Sequence, residues 1–397
     1  MDPGTQSQPQ RSGEMPMGVS VSGDAPFGVR QKLVLIAGAV LFACLLGECG
    51  LRSYDAYRGI GFWSGHRNLI AQHVLKVRPF LIFGFDPYRE RDGEILISSR
   101  HGELFPFEKP EGSLRIVCFG GSSTENGWNF EQSRTHYPLV LQRKLRKATG
   151  RTDVEVINVG NAAYSTAHSL ILLELNVLSW RPDVVILSHN INDLTAGYFP
   201  DFRVDYSHKF SNPYYLPDFA SRYTLTSLLL QDWQLFWLVR DRVQMALSRH
   251  PIQRTSYGHT PPAAAAASFE RNVRSFVALA QANGIRAVLG GQAIEPSEEF
   301  FERHVSQKDY NDIVRYPLHD EFLSHHDDYN RIMERVANEV GAGFVPNSTW
   351  LGGRRELFVD FVHYTDQGIE ELAKSYSSFL LDNLPRDAEE RPVASAD

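Results

Sequence analysis

Apolar positions along the chain fall into two kinds of run. Short continuous ones, Leu114–Phe119, Val154–Asn158, Val184–Ser188, Arg286–Gly290 and Gly343–Pro346, have the length of strands covered on both faces. Between them apolar residues recur with helical spacing near 134–148, near 167–179, and over Ser268–Asn283, Asp327–Val340 and Asp366–Leu384. Strands alternating with amphipathic helices predict an α/β domain over 113–384, a parallel sheet with helices on both faces.

A third apolar run has another character. Arg30 and Lys32 precede Leu33–Gly47, Glu48 interrupts, and Cys49-Gly50-Leu51 continues to Arg52. Leu33–Leu51 counts 19 residues, close to the about 20 that span a bilayer as a helix. The expectation is one N-terminal transmembrane signal anchor over 30–52. A cleaved signal peptide and a buried or surface helix are the alternatives, the first weakened because no A-x-A site follows. Leu41-Phe42-Ala43-Cys44 has the outline of a lipoprotein box, against which stand bulky Phe42 and the apolar residues after Cys44. Glu48, near one end, can reach the interface. Arg30 and Lys32 favour a cytoplasmic N-terminus, although Arg52 and Arg58 on the other side make the asymmetry slight. The expected location is single-pass in a membrane with the main domain outside the cytoplasm.

The remaining segments lack such periodicity. Residues 1–29, rich in Gly, Pro, Ser and Gln, read as a flexible tail. Residues 53–112, with the aromatic stretch Pro79–Phe85, read as a lead-in packed on the main domain, and 385–397 as a loose acidic tail. An insertion over 194–267 breaks the alternation. Its part 198–237 holds 12 aromatics in 40 residues, too dense for a disordered linker, and Thr224–Leu247 has helical spacing. Two readings stand: a helical subdomain over the sheet edge, or a cap that also walls the substrate site. Pro261-Pro262 and Ala263–Ala267 read as a connector into the next helix.

Composition narrows the classes. With 43% hydrophobic and 22% charged residues the chain packs a core. Its 40 Lys+Arg against 47 Asp+Glu give −7, so no basic excess exists to neutralise phosphates, and a nucleic-acid partner is not expected. Three cysteines, Cys44, Cys49 and Cys118, exclude a disulfide framework and a Cys-based zinc site. Cys118, inside a strand, reads as a small buried hydrophobe.

Chemistry gathers at the strand ends, where open α/β sheets place ligands. The first strand runs into Gly120-Gly121-Ser122-Ser123-Thr124, the second into Asn158-Val159-Gly160-Asn161-Ala162-Ala163, the third into His189-Asn190-Ile191-Asn192-Asp193. Asp360-Phe361-Val362-His363 stands before the last helix. Neither a phosphate-loop nor a dinucleotide-binding glycine pattern is present. The set supplies a hydroxyl, a turn at Gly, a side-chain amide and an Asp/His pair, which is what acyl transfer needs. Each residue alone has a plainer reading: Ser122 a helix N-cap, Asn192 a turn residue, His363 a satisfied histidine at a helix start. His319-Asp320 and His325-His326-Asp327-Asp328 lack recognised metal-ligand spacing and read as a solvated helix start before Tyr329-Asn330. His189 reads as a buttress of its strand end.

These four blocks, in this order, resemble the SGNH (GDSL-type) hydrolase family, in particular its bacterial membrane-anchored members of unassigned substrate. Their lead-in is also similar to Glu108-Lys109-Pro110-x-Gly112. Gly121 stands where many members have Asp, Ala163 where a further Gly is common, and Asn190 in place of Gly; Thr365 and Gly368 strengthen the last block. The resemblance implies a three-layer flavodoxin-like sheet over about residues 113–384. It implies Ser122 as nucleophile in preference to Ser123, His363 as base, and Asp360 as its orienting carboxylate. It implies an oxyanion hole from the backbone N–H groups of Ser122 and Gly160 with the amide of Asn192. No cofactor and no metal are implied.

The first functional reading is a serine esterase that removes an O-acyl group, O-acetyl included, from an envelope carbohydrate or lipid. An O-acyltransferase would use the same triad with a sugar hydroxyl as acceptor. A non-catalytic polysaccharide-binding or assembly component would keep the fold without turnover, and a lost triad member would have favoured it. The sequence points to no protein partner.

Overall fold

The computed structural model describes residues 28–57, 76–78, 80–126, 135–199, 201–210, 260–305 and 316–383, with residues 233, 235, 238, 239 and 314 between them. Contacts divide the chain into two units, Met1–Ser64 and Gly65–Asp397.

In the first unit Val29–Tyr57 is one helix, α1. The run contains no proline, so nothing breaks the i→i−4 ladder. Its part Val29–Tyr54 is 26 residues, long and apolar enough to cross a membrane. At 1.5 Å per residue it exceeds the about 30 Å hydrocarbon thickness. A signal sequence at this position has the same length and composition. Glu48 is paired with Arg52, one turn on, at 2.7 Å, so the acidic interruption is half of an ion pair near the helix end.

The second unit begins with short antiparallel strands. β1 (Lys76–Arg78) pairs with β2 (Ile82–Gly84), and β3 (Tyr88–Arg91), β4 (Glu94–Ser98) and β5 (Leu104–Pro106) form a three-stranded sheet. Asp92 and Gly93 join β3 to β4 with φ of 54° and 82°, a two-residue hairpin turn of the Asp-Gly kind.

The main sheet contains β6 (Leu114–Gly120), β7 (Val154–Asn158), β8 (Val184–Ser188), β9 (Arg286–Gly290) and β10 (Gly343–Val345). All its pairings are parallel, in the order β10-β9-β8-β6-β7. Read from the other edge this is 2-1-3-4-5, the flavodoxin-like order, with the first strand at the point where the winding reverses. The helices are α2 (Ser122–Glu125), α3 (Tyr137–Thr149), α4 (Thr166–Leu175), α5 (Ile191–Tyr198), α6 (Ser207–Phe210), α7 (Ala263–Ala282), α8 (Glu298–Val305), α9 (His319–Val340), α10 (Asn347–Leu351) and α11 (Asp366–Asn383). α3 packs against α11, and α7 against α4 and α9, two helical layers with the sheet between. Strand residues such as Val117, Cys118, Ile186 and Leu187 are buried from both sides, which is why they read as continuous apolar runs.

Two helices start earlier than the periodicity predicts. Ala263–Ala267 are the first turn of α7 and not a connector. Alanine has the best helix propensity and no apolar stripe to betray it. α9 begins at His319, with Asp320 and Glu321 in its first turn, and His326, Tyr329 and Asn330 are buried. The expected solvated helix start at 325–328 is therefore mid-helix, with His326 on the covered face. Thr224–Leu247, expected as helical, lies almost entirely outside the described residues.

Arg115, fully buried in β6, fastens the small sheet to the large one. Its guanidinium donates to Glu155 at 2.7 Å, to the carbonyls of Phe107 at 3.2 Å and Trp180 at 2.7 Å, and to Pro106 O at 2.8 Å. A buried cation is tolerable only when its donors are met this fully. Asp183 adds a second tie, accepting from Lys109 Nζ at 2.6 Å and from Arg115 N at 2.8 Å.

Candidate active site

β6 ends in Gly120-Gly121, and α2 starts directly at Ser122, with Gly121 as its N-cap. The missing side chain at 121 leaves room for the Asn192 amide, which a Cβ there would strike. That is the physical counterpart of having Gly, not Asp, at this position. Asn192 is the second residue of α5, two residues into the helix that follows β8. At Gly160, after β7, a Cβ would lie 2.8 Å from Glu125 N, so loop and α2 meet backbone to backbone.

The Asp360/His363 loop precedes α11 and is pinned by a bridge between Phe358 and Tyr364 and by Val359 N donating to His363 O at 2.9 Å. Asp360 Oδ1 accepts from the N–H groups of Val362 and His363, both at 2.9 Å, a side-chain turn of the Asx kind. This leaves Oδ2 for His363 Nδ1 at 2.7 Å, and His363 Nε2 lies 2.8 Å from Ser122 Oγ. Burial pushes the Asp360 carboxyl up, but the His363 hydrogen bond and charge and the two backbone donors outweigh it and hold it at about 2. The hydroxyl, the imidazole and the carboxylate thus stand in one hydrogen-bonded line, with side chains of His363 and Asp360 about 15% exposed.

Ser123, the competing hydroxyl, points elsewhere. Its Oγ donates to Val362 O at 3.3 Å and accepts from Gln292 Nε2 at 3.1 Å.

The expected oxyanion donors divide. Ser122 contributes the first N–H of α2, a position with no intrahelical partner. Asn192 Nδ2 donates one hydrogen to Tyr164 O at 2.9 Å, and an amide nitrogen has a second. Gly160 departs from expectation: its N–H donates to Asn158 Oδ1 at 2.9 Å in a buried turn and is spoken for. In the same loop Ala163 takes the left-handed conformation, φ 62°, and its N–H has no partner among the described residues. That conformation explains why glycine is common there. Asn190, by contrast, has φ −167°, which any residue adopts, and its amide donates to His326 O at 2.8 Å.

Of the other residues singled out by sequence, His189 is fully buried and bonded to Ser169 Oγ at 2.7 Å; burial, then the Lys209 charge, lowers it to about 3. His325 meets Tyr198 OH at 2.8 Å and His319 meets Pro296 O at 2.6 Å. Cys118 is buried, which pushes its thiol up to about 12.

Sequence reasoning missed the supports behind the site. Asp193 accepts from Thr166 N at 3.1 Å, Thr166 Oγ1 at 2.5 Å and Tyr206 OH at 2.9 Å. Lys209, fully buried, donates to Asn192 O at 2.9 Å. Burial raises the Asp193 carboxyl and lowers the Lys209 ammonium, each partly countered by the other. A lysine set among aromatics in Tyr206-Ser207-His208-Lys209-Phe210 was the available signal. On the other side Arg100, from the small sheet, pairs with buried Glu125 of α2.

The model of the GDSL-like lipase/acylhydrolase family matches residues 118–370. Among solved structures, the acetyl xylan esterase AlAXEase is 17% identical, covers 67% of this chain and 98% of its own, and has a TM-score of 0.38. Axe2, an acetylxylan esterase from Geobacillus stearothermophilus, is 16% identical over 69% of this chain and 96% of its own, with a TM-score of 0.40. The lipase/acylhydrolase from Enterococcus faecalis is 14% identical over 69% and 98%, with a TM-score of 0.40. No curated protein matches the chain.

The Asp360 carboxyl carries a pH signature. Its folded value, about 2, lies below the ordinary 3.8. A depressed carboxyl contributes stability that is present above the unfolded value and lost as pH falls through the folded one. Asp360 should therefore supply about 2 kcal/mol above pH ~4 that disappears towards pH ~2. Denaturant unfolding checks this: the stability gap between wild type and Asp360→Asn should narrow over that interval. A gap that stays constant would refute it.

Proposed function

We propose that this chain, which belongs to the GDSL-like lipase/acylhydrolase family of enzymes acting on ester bonds, uses Ser122, His363 and Asp360 as the triad of a serine esterase. The observation that carries the reading is the unbroken line Ser122 Oγ, His363 Nε2 at 2.8 Å, His363 Nδ1 to Asp360 Oδ2 at 2.7 Å. His363 Nε2 takes the hydroxyl proton as Ser122 Oγ attacks the ester carbonyl. The tetrahedral oxyanion collapses, the C–O bond to the alcohol breaks, and His363 returns the proton to the leaving oxygen. Water, deprotonated by His363, then attacks the acyl-serine carbonyl, the bond to Ser122 Oγ breaks, and His363 returns its proton to Ser122 Oγ as the acid leaves. Asp360 fixes the imidazole tautomer and stabilises the imidazolium.

The N–H of Ser122 and the second hydrogen of Asn192 Nδ2 serve the oxyanion. Gly160 can join only by leaving Asn158 Oδ1, so the open donor of its loop is the N–H of Ala163. Binding roles aside, the substrate reading is an O-acyl group on an envelope carbohydrate or lipid. It is supported by α1, read as the anchor over residues 30–52, which would hold the domain over 113–384 and its lead-in at a membrane surface outside the cytoplasm. The insertion read over 194–267 overlaps the end of α5 (Ile191–Tyr198) and the first turn of α7 (Ala263–Ala282).

Labelling with a serine-reactive fluorophosphonate tests the nucleophile. Label should sit on Ser122, and Ser122→Ala and His363→Ala should each lower ester hydrolysis by about 10³-fold or more with folding little changed. The double variant should be hardly worse than either alone, because a triad acts as a unit. Full turnover by Ser122→Ala would sink the assignment.

For Asn192→Ala the expectation is a fall in kcat of about 10²–10³ with little change in KM. If the amide only closes the turn on Tyr164, thermal stability drops by about 1 kcal/mol and kcat of the folded fraction is unchanged.

Topology reporters fused after Leu384 decide the anchor: a non-cytoplasmic signal supports it, and a cytoplasmic one overturns it.

A further inference from the structure

We propose that Gln292 is a positioning residue: its side-chain amide sets the spacing between the nucleophile helix, the Asn192 helix and the His363 loop. The inference rests on the roles given above to Ser122, Asn192 and His363. Gln292 follows β9 by two residues, and the end of β9 contributes nothing to the four blocks. Its side chain is buried, with the residue 6% exposed. Oε1 accepts from Ile191 N, the first residue of α5, at 2.8 Å. Nε2 donates to Ser123 Oγ at 3.1 Å, and Ser123 Oγ donates onward to Val362 O at 3.3 Å.

The direction of this chain is fixed by chemistry. A backbone N–H can only donate, so the amide oxygen must face Ile191 and the NH₂ must face Ser123. Ser123 then accepts from Gln292 and has its own proton left for a carbonyl. That carbonyl belongs to the peptide joining Val362 to His363, whose N–H is held by Asp360 Oδ1 at 2.9 Å. The peptide plane before the imidazole is therefore gripped from both sides. One link runs from the residue before Asn192, through Gln292 and the residue after Ser122, to the residue before His363.

Gln292 is itself clamped. Its N–H donates to Asn330 Oδ1 at 2.9 Å, and Asn330 Nδ2 donates to its carbonyl at 3.1 Å. Asn330 lies in the middle of α9, the longest helix of the sheet domain among the described residues. The adjacent Asn190 amide holds the same helix through His326 O at 2.8 Å. The amide is thus referenced to the rigid layer, and the three site loops are referenced to the amide. Reacting groups misplaced by about 1 Å lose about 10²-fold in rate, so a clasp of this kind bears on kcat more than on substrate binding.

The test uses the full chain in detergent with p-nitrophenyl acetate and the fluorophosphonate. Gln292→Met keeps length and volume and removes both hydrogen bonds. It should lower kcat by about tenfold with KM within about twofold, and slow labelling of Ser122 in parallel. Ser123→Ala should act in the same direction, and the double variant should be no worse than Gln292→Met alone, since both cut one chain. Wild-type kcat in folded Gln292→Met overturns the proposal, and so do additive losses in the double variant. If Gln292→Met does not fold, Ser123→Ala decides, and wild-type kcat there overturns it. Absence of Ser122 labelling in the wild type overturns the underlying reading of the triad. Labelling at Ser122 with an unchanged rate in Gln292→Met overturns only the positioning role.

Discussion

The site depends on a place where two backbones touch with nothing between them. At Gly160 a Cβ would stand 2.8 Å from Glu125 N and equally close to the Thr124 side chain, and the hard contact is with backbone, which cannot rotate away. The glycine therefore fixes how near α2 comes to the end of β7. The neighbouring Asn158 completes the joint: its Nδ2 donates to Thr124 O at 3.0 Å while its Oδ1 accepts from Gly160 N at 2.9 Å. One buried amide satisfies a carbonyl of the four-residue α2 and the N–H of the β7 turn together. The Asn-x-Gly pair of the second block is in this light a joint that seats the nucleophile helix. Its glycine N–H is engaged in that joint.

Buried charge backs the site on both sides, and it comes from segments outside the strand–helix alternation. The turn between β4 and β5 supplies Arg100 to Glu125, the last residue of α2. The insertion supplies Tyr206 and Lys209 to Asp193 and to the Asn192 carbonyl, beneath the amide. Burying these groups costs desolvation, and each is repaid only while its partner stays in place. Lead-in and insertion are thus coupled to the proposed site through paired buried charge: displacing either would leave a carboxylate unpaired in the core.

What was legible in the sequence follows from how each element is buried. The strands of the parallel sheet are covered on both faces, so their apolar runs identify them within a residue. The strands of the lead-in are three to five residues long, with one face outward, and carry too few positions for alternation to register. Asp92-Gly93 was the one local signal of a hairpin there. Ala263–Ala267 was read as a connector because a run without large side chains shows no stripe. The early start of α9 was hidden because His and Asp dominate its first turns, although buried His326 already lies on its inner face. The residues brought together as Ser122, Asn192, Asp360 and His363 were identified by the order of four blocks. Gln292 belongs to no block, and no spacing marks which of the chain's amides points at two strand ends at once.

The adjacent serines show what geometry adds to such a motif. Successive residues on a helix are turned by about 100°, so two neighbouring hydroxyls cannot face the same partner. Sequence offers both Ser122 and Ser123 to His363. In the structure the imidazole receives Ser122, and the turn of the helix carries Ser123 to Gln292 and the Val362 carbonyl. The second serine instead donates its proton to a carbonyl and accepts from an amide. An attacking hydroxyl needs a base within reach and a free lone pair aimed at the substrate. In the proposed triad that hydroxyl is Ser122, which faces the His363 imidazole. In the proposed reading the pair acts as one device, in which one hydroxyl faces the imidazole because the next is used to hold the loop that carries it.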